Sequence, residues 1–160
     1  MYDLLLRNAH VVDPLNHVNG IADVAVTDGK IAAVGRELTG EAKETVDLTG
    51  LVLQPGIIDS HVHLGSMWGS PYGPRMLAMK GVTTCLDMAG PLDDILNNVP
   101  EYGAGINMAI LQFASPPFTF KNDHPTKTEM VELIDKSLDD GALGVKLLGG
   151  HYPLKPEVSS

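Results

Sequence analysis

The sequence holds a single cysteine, Cys85. No internal disulfide can form, which excludes the disulfide-stapled secreted scaffolds. Basic residues are scarce: 11 Lys and Arg face 20 Asp and Glu, for a formal charge of -9. No lysine–arginine stripe runs along any segment, which argues against nucleic acid or an anionic membrane as the main partner. No apolar run approaches the ~18 residues that a bilayer span requires. The opening residues, Met1-Tyr2-Asp3-Leu4-Leu5-Leu6-Arg7, show neither the basic stretch nor the long apolar stretch of a secretory signal. A soluble cytoplasmic protein is the expectation. Internal repeats and low-complexity segments are absent as well. What is present is 44% hydrophobic and 19% charged residues over 160 positions, a composition that supports a packed core.

The first 54 residues read as short strands and turns with no helical stretch. Residues 3–8 and 10–12 are apolar runs broken by Asp13-Pro14. Residues 21–27 alternate with period two, and Asp28-Gly29 is a hairpin signal that returns the chain through 30–35. Two more short strands, 44–48 and 51–53, complete a segment expected to be antiparallel. After Pro55-Gly56 the texture changes. Strand-like runs at 57–64, 82–86, 105–113 and 143–148 alternate with helical segments at 74–80, 91–99 and 126–140. The last helix carries the capping-box pair Thr126 and Glu129, and Met130, Leu133, Ile134 and Leu138 are expected to line one face. A β-α-β-α-β-α-β order implies a parallel sheet covered by helices, either an open doubly wound sheet or part of a barrel. An eight-stranded barrel takes ~250 residues, so four strands between 55 and 160 account for about half of one.

The sharpest chemical feature is His61-Val62-His63 at the end of the first parallel strand. Residues i and i+2 of a strand share a face, so two imidazoles there can converge on one metal ion. The alternative is two ordinary surface histidines. A second feature is Lys146, a lone cation in the apolar run Leu143 to Leu148. By itself it reads as a lysine snorkelling to water. Asp59 precedes His61 with matching parity, and reads either as a partner orienting an imidazole or as a plain strand-end carboxylate. Asp87, just past the second parallel strand, reads as a pocket residue or as a cap of the following helix. Cys85 reads as core, not as a nucleophile. The loop 114–125, with Phe118, Phe120 and His124, reads as a pocket wall or as a solvated connection. His151, after the fourth strand, has no assigned role, nor have His10 and His17.

The stretch Asp47-Leu48-Thr49-Gly50-Leu51-Val52-Leu53-Gln54-Pro55-Gly56-Ile57-Ile58-Asp59-Ser60-His61-Val62-His63-Leu64 resembles the opening signature of the amidohydrolase superfamily. So do residues 2–8 and 28–35, which are similar to the opening strands of that family's small β domain. The resemblance implies an α/β fold: the first half of a TIM-type (β/α)8 barrel, truncated, at 55–160, preceded by a partial antiparallel, β-sandwich-like domain at 1–54. It implies metal ligation by His61 and His63. It also places Lys146 where hydantoinase-, dihydroorotase- and acyl-amino-acid-deacylase-like members carry a CO2-carboxylated lysine that bridges two metals. Burial beside cations favours the neutral amine that this carboxylation needs. The implied cofactor is a divalent metal, zinc by ligand type, with two ions in the complete enzyme. The implied reaction is hydrolysis of an amide or cyclic amide C–N bond, in a small-molecule substrate, by metal-activated hydroxide.

The family's later ligands and its general-base aspartate, which follow strands five to eight, have no counterpart within the 160 residues. The expectation is therefore a fragment of a longer enzyme that binds metal weakly and does not turn over substrate alone. A competing reading is a non-catalytic or split subunit that completes its barrel with a second chain or a further copy. A third, a nucleotide-binding sheet, needs a glycine-rich phosphate turn. The turn after the first parallel strand reads His61-Val62-His63-Leu64-Gly65-Ser66-Met67 instead.

Overall fold

A computed structural model of the protein describes residues 1–65, 71–116 and 118–147. The chain divides into two compact units, Met1–Pro55 and Gly56–Ser160. His151 lies outside the described residues.

The first unit contains β1 (Tyr2–Asp13), β2 (Val18–Thr27), β3 (Lys30–Gly35), β4 (Ala42–Asp47) and β5 (Val52–Leu53). β1, β2 and β3 form an antiparallel meander. Its Asp28-Gly29 turn holds positive φ at both residues, 51° and 69°, the twist that suits a tight hairpin. The all-antiparallel expectation fails beyond it: β4 and β5 both run parallel to β1, so the sheet is mixed, in the order β3-β2-β1-β4. The physical reason is a polar clamp on the connection between β3 and β4. Asp23 is 3% exposed, and its Oδ2 accepts from Arg7 Nη1 and from the Leu38 backbone N–H, both at 3.0 Å. Arg7 Nη2 in turn donates to the Leu38 carbonyl. The connection is thereby pinned across β1 and β2, and the chain resumes on the far side of β1. One face of this sheet packs Ala9, Val11, Ala22 and Val24. It also carries an apolar groove of about 240 Å³ lined by Leu6, Val26, Ile31 and Leu53 among others.

The second unit contains β6 (Ile57–Val62), α1 (Gly73–Ala78), β7 (Val82–Asp87), α2 (Leu92–Tyr102), β8 (Asn107–Ala114), α3 (Lys127–Asp139) and β9 (Gly144–Leu147). Its strands are parallel and stand in the order β6-β7-β8-β9. A doubly wound sheet reverses its strand order at a switch point, whereas a barrel adds each strand beside the last. The consecutive order is that of the first half of a TIM-type barrel, and the nucleotide-binding reading falls with the missing reversal. Glycine is required at the start of β6, because a Cβ on Gly56 would collide with the Thr83 side chain.

Val62, Cys85 and Ile110 from the sheet pack with Leu92 and Ile95 of α2. A second cluster joins Ala114 and Val145 to Phe120, Met130 and Leu133. The capping box of α3 forms: the Glu129 N–H donates to Thr126 Oγ1 at 3.2 Å, and the Thr126 N–H donates to Glu129 Oε2 at 2.7 Å. The expected apolar face of α3 is split, however. Met130 and Leu133 are packed, whereas Ile134 and Leu138 are 42% and 49% exposed, alongside Val131. No helix among the described residues is long and apolar enough to cross a membrane.

Candidate metal centre

β6 ends at Val62, so His61 is the last-but-one residue of the strand and His63 the first residue of the loop. Val62 and Leu64 turn into the helix-covered core, at 9% and 7% exposure. His61 and His63 are therefore directed to the opposite, helix-free face, where both are exposed. Their ring centroids are 5.3 Å apart with the planes at 75°. Two imidazoles from one strand end, close and not stacked flat, form a donor pair suited to a divalent metal. Among the described residues no cluster of three or more His, Cys, Asp or Glu joins them.

Lys146 reaches the same face from the other end of the sheet. Its neighbour Val145 packs under α3, so Lys146 points away from the helices, half-buried, with Phe113 as its in-register partner on β8. Three strand spacings separate β6 from β9, about 14 Å measured along the sheet. The histidine pair and the lysine thus share a face but sit on opposite edges of it. Only the curl of a barrel shortens that span.

Asp59 does not keep the parity read from the sequence. It pairs with Cys85 while Val62 pairs with Asp87, so β6 spends three steps where β7 spends two. This bulge moves Asp59 to the side of Cys85 and Asp87, off the histidine face. Its Oδ1 accepts the His61 backbone N–H at 3.1 Å, which steadies the strand and not the ring. Asp87 is fully buried. It neither opens onto a pocket nor caps α2, whose N-cap position is Pro91 without a side-chain cap. Among the described residues its carboxylate accepts from the backbone N–H groups of Leu64, Ala89 and Gly90. Sequence reasoning missed this role. The signal was there in the Asp87-x-Ala89-Gly90 spacing, in which an Asp side chain accepts from amides two and three residues on.

Cys85 is core, at 1% exposure. Burial first, then the carboxylates of Asp87 and Asp59, push its thiol up to about 11. At ~pH 8 only about one thiol in a thousand would then be ionised, and the thiolate is the reactive form. Iodoacetamide is expected to leave the native protein unlabelled and to label it fully in denaturant. Rapid native labelling would show the strand to be open. Phe120 of the loop after β8 packs against α3 and lines a small apolar cavity there with Met130, Leu133 and Val145, on the helix side of the sheet and away from the histidine pair. His124 lies in the same loop, 3.8 Å from Asp123 and half-exposed. The His10 ring approaches Asn19 in the first unit. The described contacts bring neither histidine to the His61–His63 pair. The 116–118 turn is described except for Pro117.

No family model matches the chain. Allantoinase of Escherichia coli is 40% identical over 99 residues, which is 59% of this chain and 21% of that protein. A crystal structure of D-aminoacylase superposes with a TM-score of 0.70 at 26% identity, over 96% of this chain and 40% of its own. The chain is similar to the N-terminal portion of amidohydrolase-superfamily enzymes. L-hydantoinase (dihydropyrimidinase) from Arthrobacter aurescens gives a TM-score of 0.64 at 25% identity, over 96% of this chain and 35% of that one. D-aminoacylase itself has a binuclear metal centre. The chain spans about a fifth of the length of the curated amidohydrolases it matches, 21% in the case above.

Proposed function

We propose that this chain supplies one wall of the metal centre of a hydrolase that opens an amide or cyclic amide C–N bond in a small molecule. The observation that carries the reading is the placement of His61, His63 and Lys146 on one helix-free face at the C-terminal ends of β6 and β9. That is where (β/α)8 enzymes assemble their sites. The names of the relatives, an allantoinase, a hydantoinase and an aminoacylase, support the bond class.

His61 and His63 would hold one divalent ion, zinc by the chemistry of the donor set. Such an ion supplies Lewis-acid polarisation and lowers the pKa of a water. Lys146 joins the site as a carbamate: neutral Nζ attacks the carbon of CO2, one N–C bond forms, one proton leaves to solvent, and an anionic oxygen donor results. The Phe113 ring, 1% exposed and in register with Lys146, keeps water from one flank of that amine. No carboxylate that would serve as general base stands with the pair among the described residues.

Ile58 and Leu147 on the edge strands, and Val131, Ile134 and Leu138 on α3, are exposed. This favours a second reading: a complementing chain, or further sequence, closes the barrel over them. Both readings predict that the monomeric 160-residue chain, supplied with zinc and CO2, leaves allantoin, hydantoin and an N-acyl-D-amino acid intact. Chelator-sensitive hydrolysis should appear only when the remaining barrel strands are present. Turnover by the monomer would overturn the partial-site reading, and chelator-insensitive turnover by the completed barrel would overturn the metal reading.

A further inference from the structure

We propose that Asp87, with Gly65 and Gly90, is a latch that positions the His61–His63 pair; the proposal rests on the metal reading above. His63 is bracketed by two bonds to the next strand's exit. On one side the Val62 carbonyl accepts the Met88 N–H at 2.9 Å. On the other, the Leu64 N–H donates to Asp87 Oδ2 at 2.5 Å. The second oxygen, Oδ1, accepts from Ala89 at 2.9 Å and from Gly90 at 2.6 Å. One fully buried carboxylate thus joins the residue after His63 to the turn after β7 through charge-assisted bonds.

A second observation points to the same junction from the other side. A Cβ on Gly65 would stand 2.8 Å from the Gly90 carbonyl oxygen and 3.0 Å from Asp94 Oδ2. The backbone after the histidines therefore lies directly on the β7–α2 turn, and only glycine permits that approach. Gly90 itself sits at φ 64°, a backbone that L residues rarely adopt. Close approach and carboxylate together fix the path of residues 62–65, and with it the angle at which the His63 ring leaves the strand. Groups behind metal-ligating histidines act in this way, and their loss weakens metal affinity by about 10- to 100-fold.

The D87N variant separates the two arms. Asparagine has one acceptor oxygen, and its NH2 cannot receive an N–H, so the Leu64 bond and the Ala89–Gly90 bonds cannot both persist. The G65A variant keeps the carboxylate and disturbs only the close approach. V82A, at the far end of β7 and 7% exposed, is the control for a loss of packing alone. Two readouts apply to the 160-residue chain: hydrogen exchange at the Leu64 amide, and Co(II) affinity from its visible absorption bands. In D87N the expected result is faster exchange at Leu64, or at Ala89 and Gly90 when the amide oxygen faces Leu64. Co(II) binding should be about 10- to 100-fold weaker in D87N and G65A, and unchanged in V82A. Should D87N not fold, G65A carries the test. Wild-type Co(II) affinity in folded D87N or G65A would overturn the latch, and so would Leu64, Ala89 and Gly90 amides that all stay protected in D87N. No Co(II) uptake by the wild-type chain, with Leu64 protected, would overturn the metal reading and the latch's link to it.

Discussion

Replacing His61 and His63 together by alanine is expected to abolish Co(II) or Zn(II) uptake by the chain, a loss of more than about 100-fold in affinity. The size follows from the donor set. Among the described residues no third His, Cys, Asp or Glu stands with the pair, so nothing in the described chain can take over when both imidazoles go. Lys146 is on the opposite edge strand, about 14 Å away along the sheet, and cannot replace an imidazole there. The histidines are exposed and off the core, so the double variant should unfold at the same denaturant concentration as the wild type. Calorimetric titration checks the affinity and circular dichroism checks the fold. A H10A/H17A variant, altered only in the first unit, should bind as the wild type does. Retained binding in the H61A/H63A variant would remove the metal centre from this strand end.

The largest expected effect on stability is that of Phe113→Ala, a loss of about 3–5 kcal/mol in the second unit. Phe113 is 1% exposed and is the largest of the fully buried side chains. It lies on β8, with β7 on one side and β9 on the other, and its ring meets Phe118 edge-on at 5.7 Å and 77°. Truncation removes the transfer energy of an aromatic ring and leaves a cavity that a hydrogen-bonded strand cannot collapse to fill. The same truncation exposes the flank of Lys146, its in-register neighbour. Urea unfolding followed by far-ultraviolet circular dichroism measures the loss. A change below about 1 kcal/mol would mean that this part of the sheet is not packed as described.

The two effects illustrate different sources of information. That His61 and His63 share a face is a consequence of strand pleating, which acts between residues i and i+2. The register shift between Asp59 and Val62 encloses His61, yet Val62 and Leu64 on either side of His63 are both buried and leave the two imidazoles to the other face. Asp59 was misplaced by the same argument, since the extra residue between Asp59 and Val62 inverts every parity carried across it. Thr126 and Glu129 meet as the capping-box pattern requires, over three residues of sequence. Ile134 and Leu138 follow the helical period correctly and are nonetheless exposed, because a period states which residues share a side of the helix and not what stands against it.

Local chemistry is thus what the sequence determined unaided: the βα alternation after Pro55-Gly56, the paired imidazoles at a strand end, the buried thiol, the capping box of α3. Each depends on interactions that reach at most a few residues along the chain. The tertiary structure alone decided that β4 and β5 run parallel to β1, that the second sheet adds its strands consecutively, and that Lys146 faces the same side as the histidines from the opposite edge. It alone turned Asp87 from a pocket or capping residue into the bond between two loops. These outcomes rest on contacts between residues far apart in sequence, such as Asp23 with Leu38 and Asp87 with Leu64. The Ala89 and Gly90 bonds of Asp87 follow from local spacing, but which donor on another strand a buried carboxylate finds depends on where folding brings that strand, and no spacing within the chain encodes it.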